Sequence, residues 1–168
     1  MTSDELDAAV EDCVAAIAEV IGTDMKTAWP NALKRLANVL GADACAFSPL
    51  APPTWRRPTL VSTGFEEAQR AYLVGGWNRG SPRQARALKR LQDGEIVFEQ
   101  DVVDDVTRGQ SPFYRDFAAP FGLDWLLAIP VRSARQEWTL HLFRSAAAGP
   151  FDKNDLPLFE AEIGRAHV

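Results

Sequence analysis

The sequence predicts an α+β fold with one antiparallel sheet of about five strands and helices on both of its faces. The predicted elements follow the order α-α-β-β-α-α-β-α-β-β-α, which lacks the βαβ rhythm of a parallel sheet, and the last two strands form a hairpin. The chain has 168 residues, of which 46% are hydrophobic and 24% are charged. This length and composition suit one globular domain with a full-sized core.

The predicted hairpin is the most apolar part of the chain and lies at the centre of the sheet. Its strands are Leu123–Val131 and Glu137–Ser145, joined by a polar turn at Arg132–Gln136. Pairing Val131 with Glu137 sets which side chains share a face. One face then carries Trp125, Leu127, Ile129, Thr139, His141 and Phe143, and the other carries Leu126, Ala128, Pro130, Trp138, Leu140 and Leu142.

Both faces of this hairpin are mainly apolar, so we expect helices to cover both of them. Only the first face carries polar groups, Thr139 and His141, among its aromatic side chains. We therefore predict that the first face is the floor of a pocket. The second face is predicted to pack as plain core against helices from the two ends of the chain.

Two helices and two strands are predicted before the central part of the chain. Apolar residues at helical spacing indicate helices at Asp4–Ile21 and Trp29–Leu40, with Pro30 in the first turn of the second helix. Short strands are predicted at Ala44–Leu50 and Thr59–Thr63, on either side of a proline-rich loop.

The same patterns place the remaining elements. Asp152 is a predicted N-cap for the last helix, because its carboxylate can accept from the free N–H groups of a first turn. The remaining predicted elements are helices at Phe65–Trp77, Pro82–Gln92 and Ser111–Pro120, a strand at Glu95–Glu99, and a final helix from about Lys153 to the end of the sequence.

The charge of the chain argues against nucleic-acid binding and against a metal site. The net charge is −5 and the isoelectric point is about 5.0. Thr54–Gln92 holds eight basic residues against two acidic ones, but they spread over a loop and two helices, so a solvated surface is predicted. Asp93–Asp105 holds six acids whose spacing matches no calcium-type loop, so we predict no metal or cofactor. This acidic segment is expected to offset the basic one.

The sequence also predicts a cytoplasmic protein without membrane contact. No apolar run approaches the roughly 20 residues of a membrane span, and the first residues are acidic where a signal peptide is basic. The two cysteines, Cys13 and Cys45, lack metal or redox spacing and are interpreted as reduced, buried thiols.

No pattern of an enzyme is present, so we predict a protein that is not an enzyme. The sequence contains no G-x-S-x-G, H-E-x-x-H or P-loop motif, and its two histidines are too few for a typical histidine metal site. We interpret His141 as a hydrogen-bonded strand residue. A ligand contact and, last, a catalytic role are the alternatives.

Four stretches in sequence order resemble a known family. They are Trp29–Phe47, Ala71–Arg83, Ser111–Trp125 and Arg144–Val168. Together they resemble the N-terminal sensory domain of LuxR-type transcriptional regulators, a GAF/PAS-like α/β/α sandwich. The resemblance implies a single ligand-sensing domain over residues 1–168, which binds a small molecule between sheet and side helices and forms a homodimer through its N- and C-terminal helices. The helix-turn-helix domain that contacts DNA in such regulators is expected to be absent from this chain.

The resemblance also bears on the kind of ligand. In the family branch that binds N-acyl homoserine lactones, Tyr72 matches a tyrosine that contacts the ligand. The aspartate-proline pair of that branch is Ser81-Pro82 here, and the expected tryptophan is Ala68. These departures predict a different ligand, aromatic or amphipathic in character.

The predicted ligand-binding residues are aromatic side chains with a few polar groups among them, the usual composition of a small-molecule site. For each one alone, a place in the core is the competing interpretation. A domain that only dimerises or docks a partner, with a filled interior and no ligand, is the alternative function. The predicted site residues are Phe47, Tyr72, Trp77, Phe98, Tyr114, Phe117, Trp125, Thr139, His141 and Phe143.

Overall fold

A computed structural model describes residues 25–50, 59–133 and 136–155 of the chain. Within them the strands are β1 (Ala44–Pro49), β2 (Leu60–Val61), β3 (Val97–Phe98), β4 (Trp125–Ser133) and β5 (Gln136–Arg144). They form one sheet in the order β2-β1-β5-β4-β3, and each neighbouring pair is antiparallel. The predicted five-stranded antiparallel sheet with the hairpin at its centre is confirmed.

Helices cover both faces of this sheet. They are α1 (Met25–Val39), α2 (Glu66–Val74), α3 (Pro82–Gln92), α4 (Glu99–Val102) and α5 (Asp105–Gln110), followed by a wide, π-type helix at Phe113–Ala118. Single 3₁₀ turns lie at Trp77–Arg79 and Lys153–Asp155.

Most of the predicted elements are present with small changes at their ends. The bounds of α3 are as predicted, whereas α1 begins four residues before Trp29, so Pro30 lies inside the helix and not in its first turn. The predicted strand Glu95–Glu99 shortens to two residues because Glu99 already begins α4. The short helices α4 and α5 were not predicted.

Three predicted segments lie wholly or mostly outside the described residues. They are the helix Asp4–Ile21, the proline-rich loop at 51–58 and all but the start of the final helix. At that start, the carboxylate of Asp152 accepts a hydrogen bond of 2.8 Å from the backbone N–H of Asn154, as an N-cap does.

The predicted register of the hairpin is wrong by one residue. Val131 lies opposite Trp138, and Ser133 lies opposite Gln136. Both strands extend further toward the turn than predicted, so Arg132, Ser133 and Gln136, which were assigned to the turn, are paired strand residues. Because side chains alternate along a strand, a shift of one residue moves every β4 side chain to the other face relative to β5.

The face that α1 covers, which we term the α1 face, carries the first hydrophobic cluster. Leu127 and Ile129 of β4 meet Leu140 and Leu142 of β5 there, so Leu127 is not part of the predicted pocket floor. From outside the sheet, α1 and the segment after β5 complete this cluster with Trp29, Ala32, Leu33, Leu36, Ala37 and Phe151.

The opposite face, which we term the α2 face, carries the second cluster. Leu126 and Ala128 of β4 lie beside Phe143, so the predicted grouping of Leu126 with Leu140 and Leu142 on one face is wrong. α2, α3 and the π-type helix contribute Phe65, Ala68, Ala87, Leu91, Phe113, Tyr114 and Phe117 to this cluster. The two faces are therefore separate cores, and Thr139 and His141 of β5 face only the second.

Replacing Leu142 with alanine is expected to lower the free energy of unfolding by about 2–5 kcal/mol, because the side chain is 0% exposed in the centre of the α1-face cluster. Chemical denaturation measures this loss. The control is Leu73→Ala at a residue that is 55% exposed, where a change within about 0.5 kcal/mol is expected. Equal losses in the two variants would contradict the placement of this core.

Candidate ligand-binding site

The floor of the candidate site is the middle of the central strand. His141 of β5 lies between Ala46 of β1 and Ala128 of β4. Both neighbours are small and buried, 4% and 0% exposed. The imidazole is therefore flanked by methyl groups and keeps some accessible surface although it stands at the centre of a five-stranded sheet.

Strand alternation places two further β5 side chains on this floor. Phe143 stacks on the ring of His141 with 6.3 Å between centroids and 8° between the planes. On the other side, Thr139 is 2% exposed and its Oγ1 has no hydrogen-bond partner among the described residues. A buried hydroxyl without a partner costs about 1–3 kcal/mol, so Thr139 is a group that a ligand or an ordered water can satisfy.

An aromatic cluster on the helices packs on the same face of the sheet as these β5 side chains. Phe117 is at its centre, 5.6 Å from the ring centroid of Tyr72 and 6.0 Å from that of Trp77. Phe113 and Phe121, four residues before and after Phe117 in the sequence, each have a ring centroid 5.4 Å from that of Phe117.

A pair of glycines places Trp77 in this cluster. A Cβ at Gly75 would lie 2.7 Å from Nε1 of Trp77 and 2.8 Å from the carbonyl oxygen of Ala71, so only glycine fits this close approach. Gly76 has a φ of +71°, a left-handed conformation that glycine adopts without strain. The chain thus turns sharply after α2 and returns the indole to the aromatic side chains.

Tyr72 is held by a hydrogen bond at the surface end of the cluster. Its hydroxyl donates to Oε1 of Gln84 on α3 over 2.8 Å. Burial raises the pKa of Tyr72, and the positive charge of Arg83 offsets part of that effect. The phenol therefore stays protonated at neutral pH and remains a donor.

A buried group of charges lies behind the aromatic cluster. Glu99, the first residue of α4, is 0% exposed, and its Oε2 lies 3.1 Å from Nε of Arg83. The hydroxyl of Tyr114 donates to Oε1 of the same carboxylate. Nη2 of Arg108 lies 3.8 Å from that oxygen. We term Arg83, Glu99, Arg108 and Tyr114 the arginine cluster.

Burial dominates the protonation of the arginine cluster. It raises the pKa of Glu99, which the charge of Arg83 and the bond from Tyr114 partly counteract. Burial also raises the pKa of Tyr114 well above its usual range, and the Glu99 charge acts in the same direction. Tyr114 is therefore a fixed hydrogen-bond donor to the carboxylate.

The two arginines are further held by carbonyl and ring contacts. Arg83 donates from Nη2 to the carbonyl oxygen of Leu123 over 2.8 Å. Arg108 donates from Nη1 to the carbonyl oxygen of Asp124 over 2.6 Å. Its guanidinium carbon lies 3.8 Å from the ring centroid of Trp125 and 4.9 Å from that of Tyr114. The side chains are thus fixed, as stacked guanidinium groups are.

The structure brings together seven of the ten predicted site residues. Five of them belong to or pack against the α2-face cluster, and Thr139 and His141 share its face by strand alternation. Trp125 lies opposite Arg144 and not, as predicted, opposite Phe143, and its ring packs on Arg108 at the margin of the site. The seven residues are Tyr72, Trp77, Tyr114, Phe117, Thr139, His141 and Phe143.

Two predicted site residues lie on the opposite side of the sheet. Phe47 follows Ala46 in β1 and therefore points to the α1 face, where it stacks between Trp29 and Trp138 at 6.0 and 4.8 Å. Phe98 pairs with Leu127 and belongs to the same α1-face cluster. Their grouping with the other eight is corrected, because it required a register that the sequence alone did not provide.

The charged residues of the arginine cluster were missed, although the sequence holds a signal for one of them. The prediction of a solvated basic segment is wrong for Arg83, which is 5% exposed. Arg83, Ala87 and Leu91 are the buried residues of α3 and recur every four positions, so helical phase marks Arg83 as inward-facing. The acidic segment does meet the basic one, since Glu95 pairs with Arg90 and Asp104 with Arg86.

The described residues add two negative observations. Within the described ranges, no helix is both long enough and apolar enough to cross a membrane. No group of three or more His, Cys, Asp and Glu side chains among these same residues could hold a metal ion.

Comparison with known proteins defines the fold. No family model matches the sequence, and no curated protein matches it. Among solved structures, the chain is similar to the N-acylhomoserine lactone dependent LuxR family transcription factor CepR2 from Burkholderia cenocepacia, with a TM-score of 0.64 and 19% identity over 98% of this chain and 93% of that one.

Two further structures show the same likeness. The VqsR LBD domain from Pseudomonas aeruginosa gives a TM-score of 0.59 and 14% identity over 93% of this chain and 90% of that one. SdiA in complex with octanoyl-rac-glycerol gives a TM-score of 0.57 and 16% identity over 92% of this chain and 62% of that one. The chain has the fold of LuxR-type ligand-binding domains, which confirms at the level of the fold the resemblance noted in the sequence.

His141 is expected to stay neutral until about pH 4. Desolvation, aided by the charge of Arg83, lowers its pKa from 6.5 to about 4. The unfolded chain binds this proton below pH 6.5 while the native protein does not, so His141 lowers stability as the pH falls from about 6.5 to 4, by at most roughly 3 kcal/mol. NMR titration of the imidazole checks the pKa. Comparing unfolding of the wild type and His141→Gln across this range isolates the stability effect, and parallel curves would contradict it.

Neutralising Glu99 is expected to cost more stability than any exposed ion pair. Glu99→Gln leaves two guanidinium groups beside an uncharged amide, and breaking a buried pair costs about 3–5 kcal/mol. The matched control is Glu95→Gln, because the Glu95–Arg90 pair is exposed and such pairs contribute about 0–1 kcal/mol. Urea denaturation of the two variants measures the difference. Equal midpoints would show that the Glu99 contacts add no net stability.

Proposed function

We propose that this chain is the ligand-sensing and dimerisation domain of a LuxR-family transcriptional regulator in the cytoplasm, and that it binds its ligand without chemical turnover. The small molecule lies between the α2 face of the sheet and the side helices. The observation that carries this proposal is the polar pair Thr139 and His141 on the central strand, set between alanines and facing an aromatic cluster.

The chemistry of the lining suits a small molecule. Apolar walls with a few polar groups that orient the ligand are the usual form of such sites. Tyr72, Trp77 and Phe117 supply aromatic surface, and the unpartnered hydroxyl of Thr139 and the neutral imidazole of His141 supply hydrogen-bonding groups. The likeness to CepR2, VqsR and SdiA supports a small-molecule ligand, since the names of the first and the third include one.

The short helix α4 offers a physical route from the site to the C-terminal end of the domain. Its first residue, Glu99, belongs to the arginine cluster. Its next two residues hold the segment after β5: Nε2 of Gln100 donates to the carbonyl oxygen of Phe151 over 3.1 Å, and Asp101 pairs with Lys153. In this proposal, a shift of Glu99 on ligand binding moves the segment around Phe151 and Lys153, which precedes the predicted final helix.

Signalling then follows from linkage. A ligand that binds the folded, dimer-competent state stabilises it by RT ln(1 + [L]/Kd), about 2.7 kcal/mol at a hundredfold excess over Kd. In this proposal the N- and C-terminal helices form a homodimer, and a helix-turn-helix domain outside residues 1–168 contacts DNA. The ligand changes the population of the dimer that presents such a domain.

The double variant Tyr72→Ala/Trp77→Ala is expected to lose small-molecule binding, because two of the rings around Phe117 are removed. N-phenyl-1-naphthylamine, an uncharged probe that fluoresces in apolar sites, measures this loss by titration. Leu73→Ala/Val74→Ala is the matched control, since these residues of the same helix are 55% and 83% exposed; it should bind as the wild type does.

Native mass spectrometry of the purified protein complements the titration by showing the oligomeric state and any co-purified molecule. Unchanged probe binding in the Tyr72/Trp77 variant would place the ligand elsewhere. A wild type that binds neither the probe nor a co-purified molecule would instead support the filled interaction module.

A further inference from the structure

The arginine cluster carries one positive charge more than its partners neutralise. Arg83 and Arg108 share a single carboxylate, that of Glu99, and Tyr114 stays neutral. The carboxylate of Asp124, next along the chain from Trp125, turns away to accept the N–H of Ala146 over 3.0 Å. Other charged side chains nearby have their own partners, as in the pair of Asp104 with Arg86.

The same cluster holds N–H donors without acceptors. Nε and Nη2 of Arg108 are buried and have no hydrogen-bond partner among the described residues, and Nη2 lies 3.8 Å from Oε1 of Glu99 as an ion-pair partner. Nε of Arg83 also makes no hydrogen bond, but its ion pair with the equally unpartnered Oε2 of Glu99 is closer, at 3.1 Å, so the unmet donors are chiefly those of Arg108. A guanidinium has five N–H donors and no acceptor, and it is charged at all physiological pH values. Excess charge and unmet donors together indicate that an anionic acceptor completes this cluster.

The arginine cluster borders the candidate site. The guanidinium carbon of Arg83 lies 5.0 Å from the ring centroid of Phe113, whose ring contacts both Trp77 and Phe117. The charge of Arg83 also acts on Tyr72 on the helix side and on His141 on the sheet side, since it offsets part of the rise in the pKa of Tyr72 and helps to lower the pKa of His141. The positive charge of Arg83 is therefore felt on both sides of the candidate site, and a cation there is disfavoured.

We propose that the ligand of this site is an amphipathic monocarboxylate, whose carboxylate pairs with the guanidinium groups of Arg83 and Arg108 while its apolar body lies against Trp77 and Phe117. This inference rests on the proposed ligand-sensing function. Charge-assisted bonds from arginine to a carboxylate are stronger than neutral ones and are geometrically specific. An ester or amine with the same body lacks that pairing.

The test compares ligands that differ only in the head group. Three bodies, n-octyl, phenylbutyl and naphthylmethyl, are each used as the carboxylic acid, its methyl ester and the corresponding amine. Each displaces N-phenyl-1-naphthylamine from the purified full chain, and its affinity is read from the displacement. We expect at least one acid to bind tenfold or more tightly than its own ester, and no amine to bind more tightly than its ester.

Two substitutions connect that preference to the cluster. Arg108→Gln should reduce the affinity of the acid to that of its ester, and Arg108→Lys, which retains the charge, should keep part of the preference. Arg90→Gln removes an arginine from an exposed pair with Glu95 and serves as the matched control with unchanged affinities. Thermal unfolding of each variant reports whether it folds. If Arg108→Gln does not fold, the comparison of acid with ester in the wild type still decides.

The outcomes separate this inference from the function on which it rests. If the neutral probe binds but no acid binds more tightly than its ester, the monocarboxylate inference is overturned and the sensing function stands. The inference is equally overturned if the acids are preferred but Arg108→Gln keeps the full preference. If the wild type binds neither the probe nor any acid, the proposed function itself fails.

Discussion

The antiparallel pairing of β5 with both β1 and β4 is the constraint on which the rest of the structure depends. β5 is the middle strand, so its alternation decides what each face of the whole sheet presents. Leu140 and Leu142 join the core under α1, whereas Thr139, His141 and Phe143 face the other side. Because the residues opposite His141 are alanines, its imidazole keeps some accessible surface. The packing of the core under α1 and the composition of the candidate site therefore both follow from the register of β5.

The buried carboxylate of Glu99 joins the elements beside the sheet. It meets an arginine from α3, an arginine from α5 and a tyrosine from the π-type helix, so three separate segments are positioned by one charge. Replacing such a group with a neutral one leaves its partners unsatisfied in a medium of low dielectric. Glu99 is also the first residue of α4, and the next two residues of this helix bond to Phe151 and Lys153. The same short helix therefore joins the arginine cluster to the segment that follows β5.

The combination of floor and cluster gives the site a defined chemical character. The floor offers an unpartnered hydroxyl and an imidazole that burial keeps neutral, and the helices offer aromatic rings. The arginine cluster adds fixed positive charge beside those rings. A site of this kind orients an apolar body and selects its head group by charge. Similarity to LuxR-type ligand-binding domains shows the fold alone, so the proposed chemistry of the ligand rests on this chain's own residues.

The sequence by itself determined the local elements, because periodicity and turn residues are local properties: α3 has its predicted bounds, and the alternation along β5 assigned Thr139, His141 and Phe143 to one face correctly. It did not determine the register of the hairpin, since both faces are apolar and a shift of one residue exchanges two equally hydrophobic sets. Hence Leu127 was assigned to the wrong side. Phe47 and Phe98 were misplaced as well, because the sequence does not determine how β1 pairs with β5 or β3 with β4. Only the tertiary structure decided the arginine cluster, because Arg83, Glu99 and Arg108 are far apart in sequence, and their burial depends on one another's charge.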